Sequence, residues 1–264
     1  MDASDTQAKA APIIIIEGEI GAGKTELTKA IAAELKARGL NVCVVLEPVD
    51  KWKEVGALQM FYADPARHAY GFQTYVYATR IMAIDAAVRA HPAADVYILE
   101  RSPATDLIFM ELQRDVADPV EMRMYETWCE SWRLMIPIDL AAARVLYLKT
   151  SLGHCMSRVA QRHRDGEIRE SKGTPAEEKG AAPAERSPAS ATGGVSIEYQ
   201  ARLRRAHEAF LQGLHADEFP LMPKSPFAPS SVIAIEPALA DGNFRDEGAE
   251  RTRIVAAIIE KVGL

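Results

Sequence analysis

Residues 13–25 read IIIIEGEIGAGKT. Ile13, Ile14, Ile15 and Ile16 form a β-branched run with no polar break, which suits a strand buried on both faces of a parallel sheet. Gly18, Glu19, Ile20, Gly21, Ala22, Gly23, Lys24 and Thr25 then fit the pattern GxxxxGK[ST]. Glycines in such a loop let backbone N–H groups turn inward around phosphate oxygens, at the positive end of the next helix. Lys24 supplies a point charge for the β and γ phosphates, and the Thr25 hydroxyl can ligate Mg²⁺. Leu27, Ala30, Ile31 and Leu35 recur at helical spacing up to Arg38, and Gly39 is the stop. A Gly-rich turn without a ligand is the bland alternative, but strand before and helix after are the context in which the motif binds a nucleoside triphosphate. The motif is silent on what receives the phosphate.

Outward from this stretch the chain alternates strands and helices. Strands are predicted at 41–46, 96–99, 145–148 and 232–235, the third ending at Glu100. Helices are predicted at 51–62, 66–90, about 103–115, 119–136, 152–163, 197–216 and 246–262. This order implies an α/β fold, a five-stranded parallel sheet with helices on both faces, and ligands at the carboxyl ends of its strands. Residues 13–264 read as a single domain, preceded by a polar, Ala-rich leader at 1–12 that is expected to be disordered. Between Arg169 and Gly194 there is no bulky apolar residue, only Pro, Gly, Ala and polar side chains. Such a segment cannot bury enough apolar area to offset its ordering entropy, so a disordered insertion is expected at about 169–194.

Composition narrows the classes. The 264 residues are 48% hydrophobic and 26% charged, enough for a real core. With 31 Lys plus Arg against 37 Asp plus Glu, the net charge of −6 argues against wrapping nucleic acid, which demands a dense cationic surface. Cys43, Cys129 and Cys155 are odd in number and far apart, which fits neither a disulfide framework nor a zinc site. They point to a reducing, cytoplasmic compartment. No apolar run approaches the roughly 18–20 residues of a membrane span.

The polar residues just past the strands carry the acceptor-side chemistry. Glu47 follows the second strand, and Pro48 delays the next helix. A carboxylate there would overhang the phosphate loop and could accept the proton of an attacking hydroxyl; a solvated loop Glu is the alternative. Glu100 takes the place of an acid that holds Mg²⁺ through water, and Arg101 would neutralise phosphoryl charge, unless the two are a surface pair. Arg158, Arg162 and Arg164 cross a helix end and suggest a lid at about 158–168 that closes over phosphates, or a solvated basic face.

In this context the residues resemble a known family, the deoxyribonucleoside kinases of the deoxycytidine/deoxyguanosine/deoxyadenosine group. The resemblance is carried by Glu17-Gly18 through Lys24-Thr25, Glu47-Pro48-Val49 with Trp52, Leu58 through Tyr62, Phe72 through Tyr75 with Arg80, Glu100-Arg101-Ser102 with Asp106 and Phe109, the Trp128/Trp132 pair and the three lid arginines. It resumes at Ile197-Glu198-Tyr199.

The resemblance implies a P-loop kinase fold, a homodimer built on helices near 103–136, and ATP- and Mg²⁺-dependent phosphorylation of a deoxynucleoside 5′-hydroxyl in nucleotide salvage. It implies Glu47 as base, with Arg101 holding Glu47 and the phosphoryl group. Gln73 would pair with the base edge, Phe72 and Phe109 would sandwich the base, and Arg80 with Asp106 would form an ion pair at its far edge. Tyr62 and a lid carboxylate, Glu167 by spacing from Arg164, would bind the 3′-hydroxyl. Val49, Trp52, Leu58, Phe61 and Val76 would wall the pocket. Apart from the register of these motifs, Phe72 and Phe109 also read as core, and Asp106–Arg80 as a helix–helix salt bridge. Trp128 and Trp132, at i and i+4, read as packing.

An ionised Asp106 can only accept hydrogen bonds, which favours an exocyclic amino group over a thymine keto oxygen. Deoxycytidine and purine deoxynucleosides are therefore expected ahead of thymidine. Val76 and Phe61 are bulkier than expected for a deoxycytidine pocket, which leaves the base open. Two other readings share the phosphate loop: a thymidylate-like monophosphate kinase, whose acceptor phosphate Glu47 would repel, and a non-catalytic binding subunit.

Overall fold

The computed structural model describes residues 11–162, 195–219, 222–245 and 248–263. The expected insertion, Arg164, Glu167 and most of the leader lie outside the described residues. Five parallel strands form one sheet in the order β2-β3-β1-β4-β5: β1 (Ile13–Gly18), β2 (Val42–Val45), β3 (Val96–Glu100), β4 (Arg144–Leu148) and β5 (Val232–Ile235). All six residues of β1 are buried, as its unbroken apolar run predicts. Its isoleucines alternate between two dry layers. Ile13 and Ile15 pack with Ile84, Ile108, Leu203 and Phe210 on one face. Ile14 and Ile16 pack with Leu27, Ile31, Leu35 and Ile258 on the other.

The helices on those faces are α1 (Lys24–Ala37) and α10 (Ala249–Val262) on one side, and α4 (Pro65–Ala90), α5 (Pro103–Glu111) and α8 (Ile197–Gln212) on the other. The remaining helices are α2 (Val49–Glu54), α3 (Ala57–Ala63), α6 (Pro119–Arg133), α7 (Leu152–Gln161) and the short α9 (Pro237–Ala240). A third apolar cluster joins Trp52, Leu58, Phe61, Phe72 and Val76 to Met110, Met122 and Tyr125, and builds a helical lobe beside β2 and β3. The chain runs from β1 out to β2, returns to β3 beside β1, and crosses to β4 on the other side. Connections thus diverge around β1, and the crevice this opens above its carboxyl end is where such sheets bind ligands.

Local signals explain most boundaries. Asp64, Ser102 and Asp118 cap α4, α5 and α6 by accepting from Arg67, Thr105 and Val120 backbone N–H groups, each with Pro at the start of the helix. Several expectations need correction. The single helix predicted at 51–62 is two, because Gly56 adopts φ 72° between α2 and α3. The helix predicted to reach 216 stops at Gln212, where Gly213 adopts φ 71°. Those predicted at 103–115 and 119–136 end at Glu111 and Arg133, and the last begins at Ala249 rather than 246. Trp128 is not core: it is 39% exposed on α6, in line with Val120 and Met124, which are 54% and 46% exposed. No helix among the described residues is long and apolar enough to cross a membrane.

Candidate active site

The phosphate loop is shaped by two glycines at positive φ, the first with no room for a side chain. A Cβ on Gly21 would lie 2.4 Å from the Cys155 carbonyl oxygen, so the loop seats directly against α7. Gly23 adopts φ 96°, and a Cβ there would meet Arg158 and Phe244. Lys24 is buried and donates to the Gly18 and Glu19 carbonyl oxygens at 3.2 and 2.9 Å. Burial pushes its ammonium down, as does Arg101, and the nearby carboxylates of Glu47, Glu100 and Glu17 only partly compensate, leaving a pKa of about 8. The Thr25 hydroxyl donates to a Glu100 carboxylate oxygen at 2.6 Å, which brings the two expected Mg²⁺ contacts together.

Beside the loop, two arginines converge on one carboxylate. Glu47 Oε1 lies 2.9 Å from Arg80 Nη2 and 3.3 Å from Arg101 Nε. Burial alone would raise the Glu47 carboxyl, but Arg80, Arg101 and Lys24 outweigh it and hold it at about 2. Arg80 also forks onto Asp106, with Nε to Oδ2 at 2.8 Å and Nη2 to Oδ1 at 3.0 Å. Burial pushes the Asp106 carboxyl up, and this bidentate pairing opposes it. The expected Arg80–Asp106 pair is therefore present, but it is not confined to a far edge of the pocket: the same guanidinium binds Glu47. Arg101 is a non-glycine residue at φ 65°, a conformation that persists only where neighbours over-determine it. Its guanidinium lies over the Phe109 ring at 4.7 Å and reaches Glu17 at 3.5 Å.

These groups open into one cavity of about 670 Å³, within the roughly 300–1,000 Å³ usual for small-molecule sites. Its lining brings together nearly all the residues singled out in the sequence. Ile20, Gly21, Gly23, Lys24 and Thr25 form the loop side, with Arg158 and Arg162 from α7 and its end. Glu47, Val49, Trp52, Leu58, Phe61, Tyr62, Phe72, Gln73, Val76, Arg80, Glu100, Arg101, Asp106 and Phe109 form the rest. Phe61 and Phe72 stack at 4.7 Å, and the Trp52 indole N–H donates to Thr79 at 2.9 Å, which fixes that wall. Gly18, Glu19 and Ala22 do not line the cavity. The Glu19 side chain turns back under the sheet to Tyr147 and Arg204 because β4 and α8 present its hydrogen-bond donors there. Arg158 is tied to the Ala22, Asp241 and Gly242 carbonyl oxygens, so it braces the loop as well as facing the cavity.

Sequence reasoning missed several residues. Glu17 is fully buried and accepts from Ser102 N–H and the Thr105 hydroxyl, which anchors the turn carrying Arg101. An acid inside an apolar strand was the available signal, since a buried charge needs partners. Gln113 lines the cavity, and its carbonyl oxygen has no hydrogen-bond partner among the described residues. Asn243, Phe244 and Arg245, after β5, line the cavity beside the loop; the family resemblance points to a stretch here, at about 240–244, but assigns none of its residues. His207 and Gln200 gave no local signal at all.

A profile of deoxynucleoside kinases matches residues 14–172, more than half of the chain and the part that carries the phosphate loop, Glu47, Arg80, Arg101 and Asp106. The chain belongs to the deoxynucleoside kinase family. It is an enzyme of that kind, a kinase acting on deoxynucleosides. It is 29% identical to a fowlpox virus protein named as a probable deoxycytidine kinase, over 94% of this chain and 86% of the relative. It is 27% identical to a Lactobacillus acidophilus deoxyadenosine kinase, over 59% of this chain and 68% of the relative. It is also 27% identical to the Gallus gallus deoxycytidine kinase 2, over 75% and 73%.

The kinase's shared guanidinium generates a stability prediction. Arg80→Met would leave Asp106 and Glu47 without their main counter-charge and should lower unfolding free energy by about 3–5 kcal/mol at pH 7. The loss should shrink towards pH 4. Glu47, depressed in the wild type, contributes stability above its unfolded pKa that fades as pH falls, and in the variant protonation relieves buried Asp106. Urea titrations at both pH values check this; an equal loss at the two would show that the carboxylates are not what Arg80 stabilises.

Proposed function

We propose that this deoxynucleoside kinase transfers the γ-phosphoryl group of ATP, with Mg²⁺, to a deoxynucleoside 5′-hydroxyl, and favours deoxycytidine and/or purine deoxynucleosides over thymidine. The observation that carries the reading is Glu47 held by Arg80 and Arg101 in the same cavity as Lys24 and the phosphate loop. The 5′-oxygen attacks phosphorus, the bond from phosphorus to the β-phosphate oxygen breaks, and the 5′-hydroxyl proton passes to Glu47. A carboxylate near pKa 2 is a weak base, which suffices because a loose transition state puts proton loss after most of the bond cleavage. Arrival of the donor phosphates draws on the same cations and restores basicity to Glu47. Lys24, Arg101, Arg158 and Arg162 neutralise phosphoryl charge, with Arg164 assigned to the same task.

The Thr25 hydroxyl and Glu100 suit Mg²⁺, which prefers one or two oxygen ligands beside substrate phosphates and water. Held there with the donor phosphates, the ion would neutralise their charge. On the acceptor side, Gln73 offers one donor and one acceptor to a base edge. Both Asp106 oxygens are engaged by Arg80, so the carboxylate can only accept, and a thymine keto oxygen facing it would stay unpaired. Phe72 and Phe109 are assigned to the faces of the base, Tyr62 and Glu167 to the 3′-hydroxyl, and Val49, Trp52, Leu58, Phe61 and Val76 to the walls. Homodimerisation is supported by the apolar stripe of Val120, Met124 and Trp128, exposed at i, i+4 and i+8 along α6.

Four outcomes are expected. A kcat/KM panel over the four deoxynucleosides should place thymidine last, and Glu47→Gln should lower kcat by about 10²–10⁴-fold. Thymidine as best substrate would defeat the Asp106 argument; activity on dTMP but on no nucleoside would favour the monophosphate kinase reading. In pH profiles, kcat/KM for ATP should fall above about pH 8 as free-enzyme Lys24 loses its proton, while kcat stays level because bound phosphate keeps that lysine charged. A kcat/KM unchanged to pH 10 would contradict this. Met124→Glu should convert a dimer to a monomer in sedimentation velocity, and an unchanged sedimentation coefficient would place the interface elsewhere.

A further inference from the structure

One face of α8 reaches three parts of the phosphoryl-transfer apparatus. Gln200, Arg204 and His207 follow one another at i, i+4 and i+7, so they share that face. Gln200 is fully buried and binds both backbone groups of one loop residue. Its Oε1 accepts from the Ile20 N–H at 3.2 Å, and its Nε2 donates to the Ile20 carbonyl oxygen at 2.5 Å. Because that N–H can only donate and that carbonyl can only accept, the amide has one permitted orientation. Arg204 forks onto Glu19 at 2.9 and 3.2 Å and also reaches the Thr150 carbonyl oxygen. Tyr147 donates to the same carboxylate at 2.9 Å. The backbone carbonyl of the same Glu19 accepts from Lys24 and from the Ala22 N–H, so pinning this residue also fixes where that lysine sits.

His207 completes the face. Its Nδ1 lies 2.9 Å from the Leu203 carbonyl oxygen, an acceptor, so the proton sits on Nδ1. Nε2 therefore carries a lone pair, and Arg101 Nη1 donates to it at 3.3 Å. The ring is wedged between a parallel Tyr147 at 5.8 Å and the edge of Phe109 at 6.2 Å. Burial and the Arg101 charge both oppose protonation, so the imidazole stays neutral.

We propose that α8 is a positioning element for phosphoryl transfer, in which Gln200 and Arg204 set the phosphate loop and neutral His207 aims Arg101. The inference rests on the kinase reading above and assigns to it residues that need touch neither substrate. Buried hydrogen bonds between groups 180 residues apart hold the loop at a defined place relative to Arg101. Misplacement on the scale of an ångström costs about 10²-fold in rate. Gln200→Leu keeps side-chain size and removes both bonds to Ile20; His207→Leu removes the acceptor for Arg101; His207→Gln can restore it.

Steady-state kinetics with ATP and the best deoxynucleoside test this, beside calorimetric binding of a non-hydrolysable ATP analogue. Gln200→Leu should weaken analogue affinity and raise KM for ATP by about tenfold or more, with nucleoside KM within about twofold. His207→Leu should lower kcat by about tenfold or more with analogue affinity retained, and His207→Gln should recover most of it. Leu211→Ala, a core change one turn beyond His207 that removes none of these hydrogen bonds, sets the effect of lost stability alone. Should Gln200→Leu not fold, Gln200→Glu, which keeps the acceptor and loses the donor, carries the same test. Kinetics and analogue affinity within twofold of wild type in the Gln200 and His207 variants, or changes matching those of Leu211→Ala, overturn the proposal. Wild type binding the analogue but phosphorylating no deoxynucleoside would instead defeat the kinase reading, and the Gln200 affinities would then decide this one.

Discussion

Arg80 is a buried guanidinium shared by two carboxylates, and the acceptor half of the site is organised around it. A charge so deep is tolerable only when its donors are matched, and Asp106, Glu47 and the Glu100 carbonyl oxygen supply the match. The pairing places the proposed base-reading acid and the proposed proton acceptor on one cation. Recognition and chemistry are then electrostatically linked: whatever alters Asp106 alters the field at Glu47 across a single side chain. Arg101 repeats the design, with Glu47 on one side and Glu17 and His207 on the other.

The sheet makes this convergence possible. β1, β2 and β3 are parallel, with Val45 opposite Leu99 and Ile16 opposite Glu100, so residues just past each strand arrive at one rim. The phosphate loop follows β1, Glu47 follows β2, and Glu100 and Arg101 straddle the end of β3. Helices α2, α3 and α4 of the helical lobe then wall the side of the cavity away from the loop with aromatic and aliphatic groups. The cleft is thus charged where phosphate would lie and apolar where a base would lie, the division a kinase for an uncharged nucleoside requires.

Much of this was legible before any coordinates. The unbroken isoleucines of β1 announced a doubly covered strand, and GxxxxGKT announced the loop, because both are local patterns whose meaning depends on neighbours in the chain. Gly56 and Gly213 show where such reading stopped short: each splits or ends a helix through a positive φ that apolar periodicity does not register. Trp128 shows another limit. An i, i+4 apolar pair has the same appearance whether it faces a core or an outside surface.

The amino-acid order by itself determined the strand–loop–helix unit, the parallel α/β class and the set of polar residues that follow the strands. These rest on steric and hydrophobic periodicities carried within a dozen residues. Only the tertiary structure decided which partners those residues take: that Arg80 serves Glu47 as well as Asp106, that Glu19 turns away from the cavity, and that Gln200 and His207 reach the loop and Arg101. Such pairings join groups up to 180 residues apart. Hydrogen bonds and charges act through space, over distances that packing sets and the spacing of residues along the chain does not encode.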